Sequence, residues 1–285
     1  MSNGNPAPRT PQQNALTILR AALDEQRAEV SVALQRCAAQ PKGKRVHALR
    51  VATRRLQSVL ELSAAVGASP KAGLSQQLER LLSTLSPLRD AHVARRTLEA
   101  LPAEQVGLGK LVALVAKQER ARKLKAKTRL SAFDTAYFER QVAAVTQSLD
   151  VSDATPVPEG EIEAALRGKL ARRGSKIERQ RRAVSAAHPK SLHRLRLTLK
   201  SYRYALDAIG PVVSPNAREI AQSIAALQDQ LGTAHDAHAL AKTARAFAKA
   251  HSSLKGLARS LERTSDAAQA AGAEAVSKAE LALVG

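Results

Sequence analysis

The chain has 285 residues and a formal net charge of +20, from 45 Lys and Arg against 25 Asp and Glu. Aromatic residues make up 2 % and Trp is absent, which argues against a reader that stacks bases on rings; the single cysteine, Cys37, rules out an internal disulfide or a thiolate metal site. The length suffices for a sizeable core, and the charge repels itself until an acidic partner (nucleic acid, another polyphosphate or a membrane surface) neutralises it.

Residues 1–12 are polar with three prolines and are expected to form a disordered leader. The start carries neither a basic n-region nor an apolar h-region, and no apolar run reaches about 18 residues. A soluble cytoplasmic protein without membrane contact is therefore expected. Helical periodicity then covers about 16–38, 45–66 and 74–85, with breaks at Pro41-Gly43 and around Pro70. Ser86-Pro87 are expected to interrupt the third helix, with Asp90 capping a continuation to Leu98. One long helix is expected over about 110–148. A linker over 149–160 separates this first unit, 13–148, from a second over 161–285. There helices are expected near 161–187, 190–209, 216–230, 234–251 and 253–282, with breaks at Pro189, Gly210-Pro211 and Gly232. No useful alternating strand pattern occurs, so the fold class is all-α, with about four main helices per unit.

The two units are copies. Lys44, His47, Arg50 and Arg54 recur 146 positions later as Lys190, His193, Arg196 and Lys200. The same offset pairs Leu85 with Leu231, Asp90 with Asp236, His92 with His238 and Arg96 with Lys242. Leucine matches are cheap in Ala/Leu-rich helices, but the charged matches are not.

At about 100° per residue, Arg54 and Arg50 fall within about 60° of His47, while Val46, Leu49, Leu56 and Leu60 form a separate core face. In the second copy His193, Arg196, Lys200 and Arg203 share one sector, opposite Leu192, Leu195, Tyr202 and Leu206. Cations stacked on successive turns repel one another, and an extended anion with closely spaced phosphates relieves that repulsion. The plain alternative is a solvated surface face. On the long helix of the first copy, Arg122, Lys125 and Arg129 continue the sector begun by Leu111 and Val115; on the opening helix of the second, Lys169, Arg173 and Lys176 lie beside Ile162, Leu166 and Ile177. Burying unpaired cations costs several kcal/mol each. These six are therefore read as lining a wet cationic cavity, with stems snorkelling over apolar surface as the alternative.

His-x-x-Arg-x-x-x-Arg-Arg-Leu at 47–56, with Leu-Arg-Asp at 88–90, resembles the CHAD family, the conserved histidine α-helical domain. Leu-His-Arg-Leu-Arg-x-x-x-Lys-x-x-Arg-Tyr at 192–204, with Leu-Gly-Thr-Ala-His-Asp at 231–236, is similar to that family's later half. The resemblance covers about residues 12–280. It implies two four-helix bundles related by pseudo-twofold symmetry around a basic central cavity, a stand-alone member, and binding of inorganic polyphosphate, with phosphate or sulfate as possible occupants. It also implies residence at polyphosphate granules and granule-associated proteins as further partners. Carried over by position, His47, Arg50, Arg54 and Arg55 match the first motif, and His193, Arg196, Lys200 and Arg203 the second. Ser201 stands where the first copy has Arg55, and His235 where it has Arg89, so the halves need not bind equally.

His235-Asp236 invites comparison with metal-dependent phosphohydrolases. The repeated element, however, is the acid, and no carboxylate cluster with ligand spacing surrounds it. No metal, cofactor or catalysis is therefore expected. Sequence-independent nucleic-acid binding is the alternative function that the charge alone allows.

Overall fold

The computed structural model describes residues 11–149 and 160–284, with side chains from residue 15 onward. Among the described residues nine α-helices follow in order: α1 (Pro11–Ala39), α2 (Gly43–Ala65), α3 (Ala72–Glu99), α4 (Leu108–Ser131), α5 (Thr135–Gln147), α6 (Glu161–Arg182), α7 (Pro189–Val213), α8 (Ala217–Ala248) and α9 (Lys255–Lys278). A 3₁₀ turn, Ser252–Leu254, precedes α9, and no strand occurs among the described residues. Residues 1–10 of the expected leader and 150–159 of the expected linker lie outside the described residues.

Several expected breaks are not breaks. Helix α3 runs straight through Pro87, and α8 through Gly232. Asp90 is consequently mid-helix and caps nothing. Proline removes one amide donor, but here neighbouring side chains bind α3 carbonyls around the lesion: Ser86 Oγ and Arg50 donate to the Leu82 carbonyl at 2.7 and 3.2 Å, and Arg122 donates to that of Pro87 at 2.9 Å. Helix α7 likewise continues past Gly210-Pro211 to Val213. Conversely, the long helix expected over 110–148 is two helices. Asp134 caps α5 by accepting from the Tyr137 amide at 2.8 Å, and Phe133 before the cap packs on Phe138, ring centroids 5.9 Å apart. Cap and hydrophobic staple together outweigh helix propagation.

The duplication is legible in the packing. Helices contact their chain neighbours within each half (α1 with α2, α2 with α3, α3 with α4; α6 with α7, α7 with α8, α8 with α9), and the halves meet along α2 and α7. Contacts between halves are reciprocal: α1 touches α7 as α6 touches α2, while α1 meets α6 and α3 meets α8. Reciprocity of this kind is what a twofold relation demands. The core side chains obey it too. Ala94, Leu98, Leu108, Leu111 and Val115 form a buried cluster with Leu240, Ala244, Leu254, Leu257 and Leu261, each pair 146 apart. On α1 and α6 the offset is 147, pairing Leu19 with Leu166, Leu23 with Leu170 and Val30 with Ile177.

The larger core is continuous across both halves, so neither half has a separate interior. Leu49, Leu56, Leu195 and Tyr202 are fully buried on the predicted inner faces of α2 and α7. Each buried leucine contributes about 1.5–3 kcal/mol. This apolar seam fixes the rotation of α2 and α7, and hence the direction in which their cationic faces point.

Candidate functional site

With their apolar faces committed to the seam, α2 and α7 turn Arg50, Arg54, Arg196 and Lys200 into one recess of about 120 Å³. Helices α3 and α8 close it with Arg89, Asp90, His235 and Asp236. Cations of both halves therefore share a single cavity astride the pseudo-twofold axis. None of the described carboxylates makes an ion pair with Arg50, Arg54, Arg89, Arg196 or Lys200. Asp90 and Asp236 temper the charge from a distance. Burial raises both carboxyls above their ordinary value, while Arg50 pulls on Asp90 and Arg196 on Asp236.

The electrostatic strain is visible in the bases. Desolvation and then the neighbouring Arg196, Arg54, Arg203 and Arg50 push the Lys200 amine down to about 8. Desolvation, helped by Arg54, lowers the Arg50 guanidinium, and desolvation lowers Arg196 despite Asp236. The Arg196 guanidinium lies beside Gly232, at an ordinary contact distance from where a Cβ would stand. Its Nε is buried without a hydrogen-bond partner.

The histidines divide. His47 stands at the mouth; partial desolvation, then Arg89, Lys200 and Arg50, hold it below its ordinary value. His193 stacks on His235 with ring centroids 4.5 Å apart and their Nδ1 atoms 3.1 Å apart, one donating to the other. Burial, then His193 and Arg196, push His235 down to about 4. His193 is lowered by burial and then by Arg196 and Arg54.

Other expected site residues fall elsewhere. Arg55 and Arg203 flank the Tyr204 ring at 5.9 and 5.1 Å; Arg55 pairs with Glu29 at 3.6 Å and Arg203 with Asp207 at 3.5 Å. Arg55 thus links α2 to α7 and α1, whereas Arg203 stays on α7 and reaches α8 by donating to Gln228 Oε1 at 3.2 Å. Lys44 lines a separate groove between α1 and α2, and Lys190 is exposed. The cavity-lining assignment on the long helices needs correction. Lys125, Arg129 and Lys176 face solvent, and Lys169, half-buried, does not line the recess. Along α4 Leu111, Val115, Ala126 and Leu130 are buried; at about 100° per residue the stripe drifts round the helix between the first pair and the second, away from Lys125 and Arg129. Arg122 alone of that trio approaches, reaching the Pro87 carbonyl and sensing Asp90. Arg173 is buried but in the seam, bonded to Glu61, to Ser58 Oγ at 3.2 Å and to the Ser201 carbonyl at 3.3 Å. It is a structural ion pair, not a cavity wall.

Arg89, Asp90, His235 and Asp236 also line the recess, although the sequence motifs mark them only as companions of the cationic stripes. Their signal was already present: Leu-Arg-Asp and Ala-His-Asp recur at the common offset, on helix faces that must meet if α2 and α7 do. Among the described residues no group of three or more His, Cys, Asp or Glu is placed to hold a metal, and no helix is long and apolar enough to cross a membrane.

The profile of the CHAD domain family matches residues 17–245. Among solved structures, the fold is similar to the CHAD domain from the plant Ricinus communis, with a TM-score of 0.72 and 22 % identity over 92 % of this chain and 90 % of that one. It is also similar to PptA from Streptomyces chartreusis, with a TM-score of 0.67 and 20 % identity over 93 % and 99 % of the two chains. At such identities the likeness is one of fold. The comparison with curated proteins yields no match.

Proposed function

The chain belongs to the CHAD domain family, and from that premise we propose that its central recess binds inorganic polyphosphate without catalysing its turnover. The observation that carries this reading is the convergence of Arg50, Arg54, Arg89, Arg196 and Lys200, from both halves, with no ion-paired carboxylate among them. Mutually repelling cations at a desolvated site bind a multivalent anion strongly, because the ligand removes repulsion as well as adding charge-assisted hydrogen bonds. A narrow recess suits a thin phosphate chain better than a duplex. Phosphate or sulfate would occupy the same donors singly. Asp90 and Asp236 serve here to moderate the field. In the cell the domain would bring its chain, and any partner bound to it, to polyphosphate granules in the cytoplasm.

Calorimetry with polyphosphate of defined lengths, comparing wild type with Arg50→Ala/Arg196→Ala, tests the reading. Each lost contact is worth about 1.5–3 kcal/mol, so affinity is expected to drop at least a hundredfold; unchanged affinity overturns the proposal. Phosphate release in added Mg²⁺ or Mn²⁺ would overturn its non-catalytic part. A tagged chain that stays diffuse in polyphosphate-rich cells would overturn granule residence.

The exposed cations of α4 and α6, Lys125, Arg129 and Lys176 among them, favour one second reading, sequence-independent nucleic-acid binding on the outer surface. Competition separates the two. Long-chain polyphosphate should displace DNA at comparable phosphate concentration if both use the recess.

A further inference from the structure

The recess holds one primary amine among guanidinium groups, and that combination has its own chemistry. Lys200 projects from α7 beside Arg196, with Arg50 and Arg54 approaching from α2 and His235 and Asp236 from α8. Its field reaches His47 and His193 as well. Arginines cannot lose their protons under ordinary conditions, so they can only bind an anion; an amine that sheds its proton is also a nucleophile. We propose that Lys200 is a modification site for acyl phosphates, whose phosphoryl group docks on Arg50, Arg54 and Arg196 and presents its carbonyl carbon to the amine.

The step balances within the two reactants. The neutral Lys200 nitrogen attacks the carbonyl carbon and a C–N bond forms. The bond from that carbon to the bridging phosphate oxygen breaks, and the electron pair leaves with the phosphate. The proton lost by nitrogen is taken up by the departing group, which exits as hydrogen phosphate. No oxidant, metal or further reactant takes part. The guanidinium groups that bind the phosphoryl group also stabilise the charge gathering on the leaving oxygen. Holding donor and acceptor in one recess removes the entropic cost of encounter.

The amine is prepared for this. Desolvation and the surrounding Arg196, Arg54, Arg203 and Arg50 hold Lys200 at about 8, so at pH 8 about half of it is neutral, against about 0.4 % of an ordinary lysine near 10.4. Asp236 opposes the shift, and His47, His193 and His235 are near enough to Lys200 to feel its charge. The counterpart of Lys200 in the first half is Arg54, which cannot be acylated in this way. The duplicated site is therefore chemically addressable on one side only. The product amide has no charge, so modification subtracts one cation from the recess and leaves a bulky group in it. A bound polyanion would both block the donor and favour the protonated amine. The modification would thus mark unoccupied molecules and keep them unoccupied.

This rests on the phosphoanion-binding reading of the recess, but the two can fail separately. The full chain is treated with acetyl phosphate at pH 8, and site occupancy is followed by peptide mass spectrometry. Lys200 is expected to react at least tenfold faster than the exposed Lys125, Lys176 and Lys190, with saturation in acetyl phosphate and slowing by inorganic phosphate. N-acetoxysuccinimide, which carries no phosphate, should show a smaller preference, no saturation and weaker inhibition by phosphate. Reaction of Lys200 at the rate of the exposed lysines overturns the inference, even if calorimetry finds polyphosphate binding intact. Selective acetylation that saturating long-chain polyphosphate fails to suppress supports the inference and overturns polyphosphate occupancy of the recess. Acetylated protein should bind polyphosphate about tenfold more weakly than untreated protein. Acetyl phosphate treatment of the Lys200→Arg variant should not alter that variant's own affinity, whatever its untreated value; a tenfold loss there would place the effect at another lysine and overturn the inference.

Discussion

Arg50 and Arg196 occupy equivalent positions in the two halves, yet their surroundings differ. Arg50 donates to the Leu82 carbonyl and to Ser86 Oγ, and so helps hold α3 where Pro87 interrupts its hydrogen-bond ladder. The equivalent of Ser86 is Gly232, which offers no hydroxyl, and Arg196 Nε remains buried and unpartnered. The adjacent pairs diverge as well. On one side stand Arg89 and a His92 whose Nε2 lies 3.3 Å from Glu119, though its Nδ1 is buried without a partner; on the other, His235 stacks on His193. Glu119 has become Ser265 at the common offset. One copy thus spends part of its charged donors on the fold, whereas the other leaves them to be completed by a ligand. A duplicated site can divide its work between rigidity and binding without losing the symmetry that makes the recess.

If that division is real, Arg196→Ala should weaken polyphosphate binding about a hundredfold with little loss of stability, since its donors await the ligand. Arg50→Ala should weaken binding only about tenfold and cost about 1 kcal/mol of unfolding free energy, because the Leu82 carbonyl loses a donor. Calorimetry and urea denaturation on both variants measure the two quantities. Equal losses of affinity would dissolve the contrast.

Titration provides the next break. His235 sits near 4 in the folded protein against an ordinary value of about 6.5, and His193 is lowered beside it. The unfolded chain therefore binds more protons between those limits. The stability this withholds is fully present above about pH 6.5 and drains away as pH falls towards 4, by about 3 kcal/mol for His235 alone. A bound polyanion reverses the sign of the incentive: imidazolium beside phosphate is favourable, so affinity should rise up to about tenfold from pH 8 to 5.5 at constant ionic strength. His235→Arg, which copies Arg89, should flatten much of both curves. Thermal melts and binding isotherms across that range decide it; affinity that weakens on acidification would show that these histidines do not meet the ligand.

Gly232→Ser would import the first half's tether into the second. A Cβ there meets the Arg196 guanidinium at 3.6 Å, an ordinary contact, so the substitution fits. Serine also suits a helix interior better than glycine by a few tenths of a kcal/mol. The melting temperature should rise by about 1–3 °C and affinity fall about threefold as Arg196 gains an internal acceptor. A rise in affinity would mean that Arg196 gains more from being oriented than it loses by being engaged.

The sequence made the fold class, the duplication and the separation of core from cationic faces on α2 and α7 legible, because each is a local periodicity or a fixed offset. It misled at Pro87 and Gly232, where breaker residues sit inside continuous helices. The compensation comes from Arg50 and Arg122 on other helices, and from the depth of α8 in the core, none of which is local. It also joined what Asp134 divides, since a cap and a staple carry less periodic signal than the leucines around them. The inward sector failed for Lys125 and Arg129 because the buried stripe of α4 drifts round the helix, so a face anchored on Leu111 no longer points inward about four to five turns later; on α6, Lys176 is exposed although Ile177 beside it is buried. For Arg173 it expected a wall of a wet cavity, where the structure has a buried cation paired with Glu61. Glu61 lies 112 residues away, and no pattern on α6 announces it.

Those three exposed cations supply the finest test of where the ligand lies. Lys125, Arg129 and Lys176 carry three of the chain's positive charges, yet they open to solvent on α4 and α6, away from the recess. An exposed charge at that remove acts through screened Coulomb fields, with a Debye length of about 8 Å at physiological salt. Replacing all three with glutamine should therefore change polyphosphate affinity less than twofold at 0.15 M salt, although the same triple variant should slow association at low salt, where steering reaches further. Duplex DNA bound on the outer surface would respond differently. Each lost phosphate contact would flatten the salt dependence by about one unit of log–log slope, and affinity would fall by a comparable amount at every sequence tried. If polyphosphate binding to the triple variant collapses as it does in Arg196→Ala, the anion lies along the outside of the bundles and the asymmetry within the recess has no bearing on it.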